Sequence, residues 1–292
     1  MGKIFKKLVN NFKGTNIFIC YHKNSDFFKN DILFPIQVGK ALSSLDLNII
    51  GDDIGDNISS KNQNYNELTA LYWMYKNVKS NIVGLFHYRR FFDLREKVAS
   101  KEILLHKFSK NFLRKYCIDK DNINKLMKNY DLILPKKTGL KLSLYNHYKR
   151  SHIISDLDLA VSIIKNKYPE MSSTVDAVLN GNYMHSYNMF IGKKQIIDGY
   201  CNWLFSILFE VEKKIQSDVK KRDVIQKRVY GYLGERLFNI YTEYLLQTTD
   251  IKIKYCPVIW INSNLKQYLK FKLKNIKRKI LTFLGYRKEY WS

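Results

Sequence analysis

The chain has 292 residues, 46% of them apolar, which is enough for a substantial core and suits one large domain. Its formal charge of +24, from 50 lysines and arginines against 26 acids, calls for a polyanionic partner or an anionic surface. No run approaches the roughly 18 uninterrupted apolar residues of a membrane span, the opening MGKIFKKLVNNFKG lacks a signal-peptide core, and Cys20, Cys117, Cys201 and Cys256 form no CxxC pair. A structural zinc site and a disulfide framework are thereby argued against, and a cytoplasmic protein with reduced thiols is expected.

In chain order, residues 16–21 (NIFICY) read as a first strand that opens into His22-Lys23. Residues 32–45 carry Pro35 and then a short helix. Residues 47–50 read as a second strand, stopped by the Gly/Asp-rich loop GDDIGDNIS. Residues 65–78 (YNELTALYWMYKNV) place Leu68, Leu71, Tyr72 and Tyr75 at helical spacing, which predicts one helix packed on the sheet. The apolar run 81–86 then delivers His87, Tyr88, Arg89 and Arg90 into Phe91-Phe92. Residues 130–135 form another strand ending in Lys136-Lys137, and 187–192 (YNMFIG) one more. Helices are expected over 156–167, 196–215 and about 230–246. Alternating strands and helices over the first ninety residues indicate an α/β fold with a largely parallel sheet, whose ligand crevice lies beyond the carboxyl ends of its strands. No linker or internal repeat supports a second domain, so the domain is expected to span 1–263, followed by a basic tail over 264–292.

Two adjacent arginines where the pattern predicts burial require an anion, either an internal carboxylate such as Asp93 or Asp131 or a bound phosphate. Arginine grips phosphate with paired donors and is always charged, so Arg89 and Arg90 could do electrostatically what a metal held by an Asp-x-Asp pair does in nucleotide-sugar enzymes of mixed α/β type. Asp52 or Asp53 could accept from ribose or base, although such loops also make ordinary turns. His152 and Asp156, at i and i+4, share a helix face, with Asp158 two residues on; ligation, acid/base work or a plain surface turn all fit. Glu235 could pair with Arg228 or Arg236, or act as a general base toward an acceptor hydroxyl.

YHK, PIQVGKAL, GDDIGDNIS, NELTALYWMYKN, HYRRFF, DLILPKK, SHIISDLD, YNMFIGKK, YCNWLFSILFE and GERLFNIY, in that order over about residues 16–246, resemble a bacterial capsular and exopolysaccharide glycosyltransferase family long known only as domain of unknown function 4422. The resemblance implies a GT-A-like, Rossmann-type, mostly parallel sheet flanked by helices, with a helical C-terminal region. It also implies transfer of a sugar from a nucleotide donor, with galactofuranose donors among those associated with the family, and the leading reading is an inverting or retaining hexosyltransferase that uses a UDP-sugar. The family pattern falls on His22, Lys23, Asp52, Asp53, Asp56, Asn57, Asn66, Glu67, His87, Tyr88, Arg89, Arg90, His152, Asp156, Asp158, Asn188, Glu235 and Arg236. Of these, His22, Lys23, Asp52, Asp53, His87 to Arg90 and Asn188 are expected on the donor, and His152 and Arg236 on the acceptor side. Glu235 is expected as the base, with Asp156 and Asp158 as alternatives. Manganese or magnesium is compatible with these motifs and not required by them.

Half of the charge excess is terminal: residues 1–14 carry four lysines and no acid, and residues 264–292 nine Lys or Arg against Glu289. In the tail, Leu265, Leu269, Leu273, Ile276, Ile280 and Phe283 recur every three or four residues. Lys266, Lys270, Lys274, Lys277 and Arg278 fall mainly on other sides, and Tyr286, Tyr290 and Trp291 follow. Such a helix either docks on the core or lies on an anionic membrane face, where the enzyme would meet a lipid-linked saccharide acceptor. A nucleic-acid-binding protein and a noncatalytic scaffold of a capsule assembly complex are the competing readings. Carboxylate loops at the strand ends oppose the first, so no nucleic-acid partner is expected.

Overall fold

The computed structural model describes residues 12–96, 98, 102–266, 268–270, 272, 273 and 276. Its strands are β1 (Thr15–Tyr21), β2 (Leu33–Gln37), β3 (Ile50–Gly51), β4 (Ile82–His87), β5 (Arg90–Phe92), β6 (Glu102–Leu105), β7 (Leu132–Pro135), β8 (Thr138–Gly139), β9 (Tyr183–Met184), β10 (Phe190–Lys193), β11 (Ile253–Cys256) and β12 (Val258–Ile261). Its helices are α1 (Asn62–Tyr65), α2 (Leu68–Asn77), α3 (Phe112–Lys115), α4 (Lys120–Asn129), α5 (Leu144–Ser151), α6 (Ile154–Lys167), α7 (Ser172–Asn180), α8 (Lys194–Val219) and α9 (Val229–Thr248).

The main sheet runs in the order β11-β7-β10-β4-β1-β2-β3, with β5, β6 and β12 attached beside it and β8-β9 forming a separate ribbon. β1 pairs in parallel with β2 and β4, and β7 with β11. This is the mostly parallel, helix-flanked sheet that the alternating pattern predicts. Both faces are covered, as the side chains of β1 show. Phe18 and Cys20 enter one apolar cluster, with Trp73 of α2 and Leu204 and Leu208 of α8, while Ile17, Ile19 and Tyr21 enter the other, with Phe91, Phe112 and Ile123.

The structure corrects four details. β2 runs through Pro35, where the sequence named no strand: Pro35 lies opposite Ile19 of β1, but β3 pairs only with Ile36 and Gln37, so on that side no ladder bond is lost at the proline. The strand expected over 47–50 shrinks to β3. β10 runs antiparallel to both neighbours, β4 and β7. The helix expected over 65–78 is split into α1 and α2 by Asn66, whose φ of 52° and ψ of −129° lie outside both helical regions.

Four of the tail residues with a described position, Leu265, Leu269, Leu273 and Ile276, are each 47–66% exposed. Lys266 and Lys270 are exposed as well, whereas Lys274, Lys277, Arg278, Ile280, Phe283, Tyr286, Tyr290 and Trp291 lie outside the described residues, as does most of 1–14. No described helix is long and apolar enough to cross a membrane.

Candidate active site

β1 and β4 lie side by side in parallel, so His22 and His87 emerge at one edge of the sheet. β4 turns back into β5 through Tyr88 and Arg89 alone, with His87 opposite Arg90. HYRR is therefore a tight hairpin tip and not the continuous strand end that its apolar flanks suggest. Because β10 is antiparallel to β4, its entry segment Tyr187-Asn188 arrives at this same edge. Helix α9 and the α1–α2 junction close the other side.

Between them lies a cavity of about 680 Å³. His22, Lys23, His87, Tyr88, Arg89 and Arg90 line it from the strand ends, with Cys20 and Val38 beneath. Asn62, Asn66 and Glu67 line it from the α1–α2 junction, and Tyr187, Arg228, Gly231, Tyr232 and Glu235 from the later chain.

The cations of this wall are held by rings. The Arg90 guanidinium lies 4.4 Å from the Tyr187 ring centre and 5.5 Å from that of Trp260, with Nε buried and unpartnered. Arg89 lies 4.9 Å and the Lys23 ammonium 5.6 Å from the Tyr88 ring centre. Such contacts contribute roughly 0.5–2 kcal/mol and leave the charge open to an anion. Arg228 donates to Asn66 Oδ1 at 2.9 Å. Among the described residues, none of Lys23, Arg89, Arg90 or Arg228 has a carboxylate within ion-pair distance.

The acids of the cavity are treated differently. Glu235 Oε1 accepts from the Tyr187 N–H at 3.1 Å, and Oε2 accepts from Arg236 at 3.0 Å, so both oxygens are engaged. Glu67 Oε1 accepts from the Asn188 amide at 2.7 Å. Burial pushes the Glu67 carboxyl above its ordinary range, opposed by the Asn188 hydrogen bond and by Arg90 and Arg228. Tyr187 and Asn188, which reach for the two carboxylates, both have positive φ, 82° and 47°. Asn188 Oδ1 is buried with no partner.

His87 Nε2 is 2.7 Å from the Tyr187 carbonyl, which can only accept, so this nitrogen carries the proton. Burial, and then Arg90, push the imidazole down to about 3, so it is neutral and its Nδ1 keeps a lone pair. Among the described residues no group of three or more His, Cys, Asp or Glu is placed to hold a metal ion, and the cavity's two carboxylates already accept hydrogen bonds.

A family model described as "Domain of unknown function (DUF4422)" matches residues 16–247. The chain belongs to this family. Among solved structures, the apo form of the WbbM bifunctional glycosyltransferase is similar, with a TM-score of 0.80 and 33% identity over 85% of this chain and 45% of that one. The chain thus spans less than half the length of that protein. No curated protein sequence matches it.

Not every residue of the DUF4422 pattern reaches the cavity. His22, Lys23, His87 to Arg90, Asn66, Glu67 and Glu235 line it, and Asn188 stands directly behind. Asp52 does not: it is wholly buried and accepts from the backbone of Gly39 and Lys40 and the hydroxyls of Ser59 and Thr69, which fills its carboxylate and makes it a strut. Asp53 follows it into the turn, where its carbonyl accepts from Asn57. Asp56 accepts from Tyr72. Asp156 is a buried bidentate partner of Arg222, at 2.6 and 2.8 Å, and Asp158 accepts from Tyr145 at the surface, so neither is placed as a base for this cavity. His152 stacks on Tyr232 with ring centres 4.0 Å apart, behind the lining. Arg236 is buried against Glu235 and the Tyr148 ring.

Residues that the sequence did not single out for the lining are Cys20, Val38, Asn62, Tyr187, Gly231 and Tyr232, with Arg228 weighed only as an ion-pair partner. The one signal that could have found Tyr187 is its place directly before a strand that starts at the ligand edge.

Proposed function

We propose that this chain is a glycosyltransferase that binds a UDP-sugar in the 680 Å³ cavity and passes a hexosyl group, galactofuranosyl among the candidates, to a lipid-linked saccharide in capsule or exopolysaccharide synthesis. The observation that carries this reading is the set of four cations, Lys23, Arg89, Arg90 and Arg228, lining one cavity with no carboxylate partner among the described residues. Leaving charges uncompensated in a partly desolvated site is costly, and a diphosphate supplies the compensation. Leaving-group stabilisation would then come from arginine, whose charge is fixed in place before the reaction. The bifunctional glycosyltransferase of similar fold supports the reaction class.

The exposed apolar residues Leu265, Leu269, Leu273 and Ile276, interspersed with Lys266, Lys270 and Lys272, favour peripheral attachment to the inner, anionic face of the plasma membrane, where a lipid-linked acceptor would sit.

The test is a donor screen. Purified protein is offered UDP-, GDP- and dTDP-hexoses with octyl glycosides as acceptor stand-ins, and nucleotide release and glycoside product are read with and without EDTA. Turnover of a UDP-hexose that survives EDTA is expected. A protein that binds no nucleotide would favour a noncatalytic scaffold.

A further inference from the structure

Glu67 lies at the break between two helices, and the break is imposed on it. Asn66, just before it, takes a backbone conformation that ordinary side chains avoid, at a typical cost of about 1–3 kcal/mol. Three contacts keep it there. Arg228 donates to its Oδ1 at 2.9 Å, the Asn62 amide donates to its carbonyl at 2.7 Å, and Gly231 presents no side chain where Asn66 packs. A continuous helix over 62–77 would cost less locally; the strain has the effect of turning Glu67 into the cavity.

The two cavity carboxylates differ in what is left for a substrate. Glu235 is held at both oxygens, one of them by a buried guanidinium. For Glu67, Asn188 is the only other residue whose hydrogen bond to the carboxylate is made among the described residues, and burial weakens its hold on the charged form. A base must give up its engagement as it takes a proton, which is harder for Glu235 than for Glu67.

We infer that Glu67, and not Glu235, is the catalytic base of a direct, in-line displacement; this rests on the glycosyltransferase reading. The acceptor hydroxyl oxygen forms the new bond to the anomeric carbon. The bond from that carbon to the diphosphate oxygen breaks, its electron pair leaving with the nucleoside diphosphate against the cavity's arginines. The hydroxyl proton passes to the Glu67 carboxylate and from there to solvent. Glu235 is a positioning residue, which with Arg236 fixes the Tyr187 backbone.

The deciding experiment compares Glu67→Gln, Glu235→Gln and wild type, using UDP for binding by calorimetry and the best UDP-hexose of the donor screen with its octyl glycoside for transfer. Glu67→Gln should bind UDP within about twofold of wild type and transfer at least 100-fold more slowly, the scale of general-base loss. Glu235→Gln should lose less than tenfold in transfer. Glu67→Asp, which keeps the charge but withdraws it by one methylene, should fall between, and it decides the matter if Glu67→Gln does not fold. The product anomer, read by NMR, should be opposite to that of the donor. Wild-type transfer by Glu67→Gln, a 100-fold loss confined to Glu235→Gln, or retention of configuration each overturns the assignment. A wild-type chain that binds UDP and transfers while Glu67→Gln does so equally well overturns the base alone; one that neither binds nor transfers overturns the glycosyltransferase reading with it.

Discussion

Gly231 and Asn66 are in such close contact that a Cβ on Gly231 would lie 2.3 Å from the Asn66 amide nitrogen. Gly231→Ala therefore has to displace Asn66, and with it the carboxylate of the next residue. Overpacking of this kind typically costs 1–3 kcal/mol, so a lower unfolding midpoint in urea is expected, together with a loss of transfer larger than any loss of UDP binding. Equal losses in both would show that the contact supports folding only.

Removing either arginine of the hairpin tip should be felt by the donor. Arg89→Ala or Arg90→Ala is expected to lower kcat/KM for the UDP-sugar at least tenfold, equivalent to about 1.4 kcal/mol of transition-state stabilisation. Arg90→Lys should not restore it, because a lysine ammonium cannot reproduce the planar packing between Tyr187 and Trp260. Steady-state kinetics of the three variants with wild-type stability would check this.

The Asp156–Arg222 pair makes the opposite prediction. Both side chains are almost inaccessible, at 3% and 6% exposure, and Arg222 also reaches Asp218 at 2.6 Å. Asp156→Asn leaves a buried guanidinium with one partner fewer, and a loss of about 3 kcal/mol in unfolding free energy is expected. Because the pair lies outside the cavity lining, kcat per folded molecule should be unchanged. A catalytic defect without destabilisation would contradict this placement.

Stability should fall on mild acidification. His185 donates its Nδ1 proton to the Pro135 carbonyl and stacks on Tyr255, and burial pushes its imidazole down to about 4. The unfolded chain therefore takes up the proton first, from about pH 6.5 downward, and the folded state loses stability until about pH 4 is reached. At pH 5 the His185 share is about 2 kcal/mol. Urea unfolding at pH 7 and pH 5 should show the loss, and His185→Gln should flatten it by that amount. His87 adds to the slope in the same direction.

Deleting residues 264–292 should leave UDP binding intact and abolish sedimentation with vesicles containing phosphatidylglycerol. Added salt should weaken sedimentation of the full chain, since the cationic attraction is screened over about 10 Å at 0.1 M. A truncated chain that still pellets would place the attachment elsewhere.

Much of this architecture was legible because it rests on local pattern. The runs 16–21, 81–86 and 187–192 are apolar enough to be strands whatever surrounds them, and strand ends in a parallel sheet share one edge, which gathers His22 with His87 to Arg90. What was hidden depends on contacts distant in sequence. GDDIGDNIS looks like a ligand loop, but Asp52 is consumed by Ser59 at the loop's own end and by Gly39, Lys40 and Thr69, which lie outside it. YNELTALYW has unbroken helical spacing, and only Arg228 and Gly231, more than 160 positions away, reveal why it is interrupted at Asn66. The direction of β10 could not be read from its composition, because an apolar run of four suits either orientation.

That reversed strand also bears on how the molecule comes together. His22 and Glu235 are separated by more than two hundred residues, and the Tyr187-Asn188 segment that lies between them at the cavity arrives only with β10, after β1, β2, β3, β4 and β7 of the main sheet and most of the described helices. Pairings over such separations close slowly, because the chain entropy is lost before the contacts reward it. The pocket is therefore expected to be among the last features to form as the chain folds, and a partly folded chain would have a sheet with no cavity. Hydrogen exchange pulse-labelled during refolding should protect the amides of β1 and β4 before that of Tyr187.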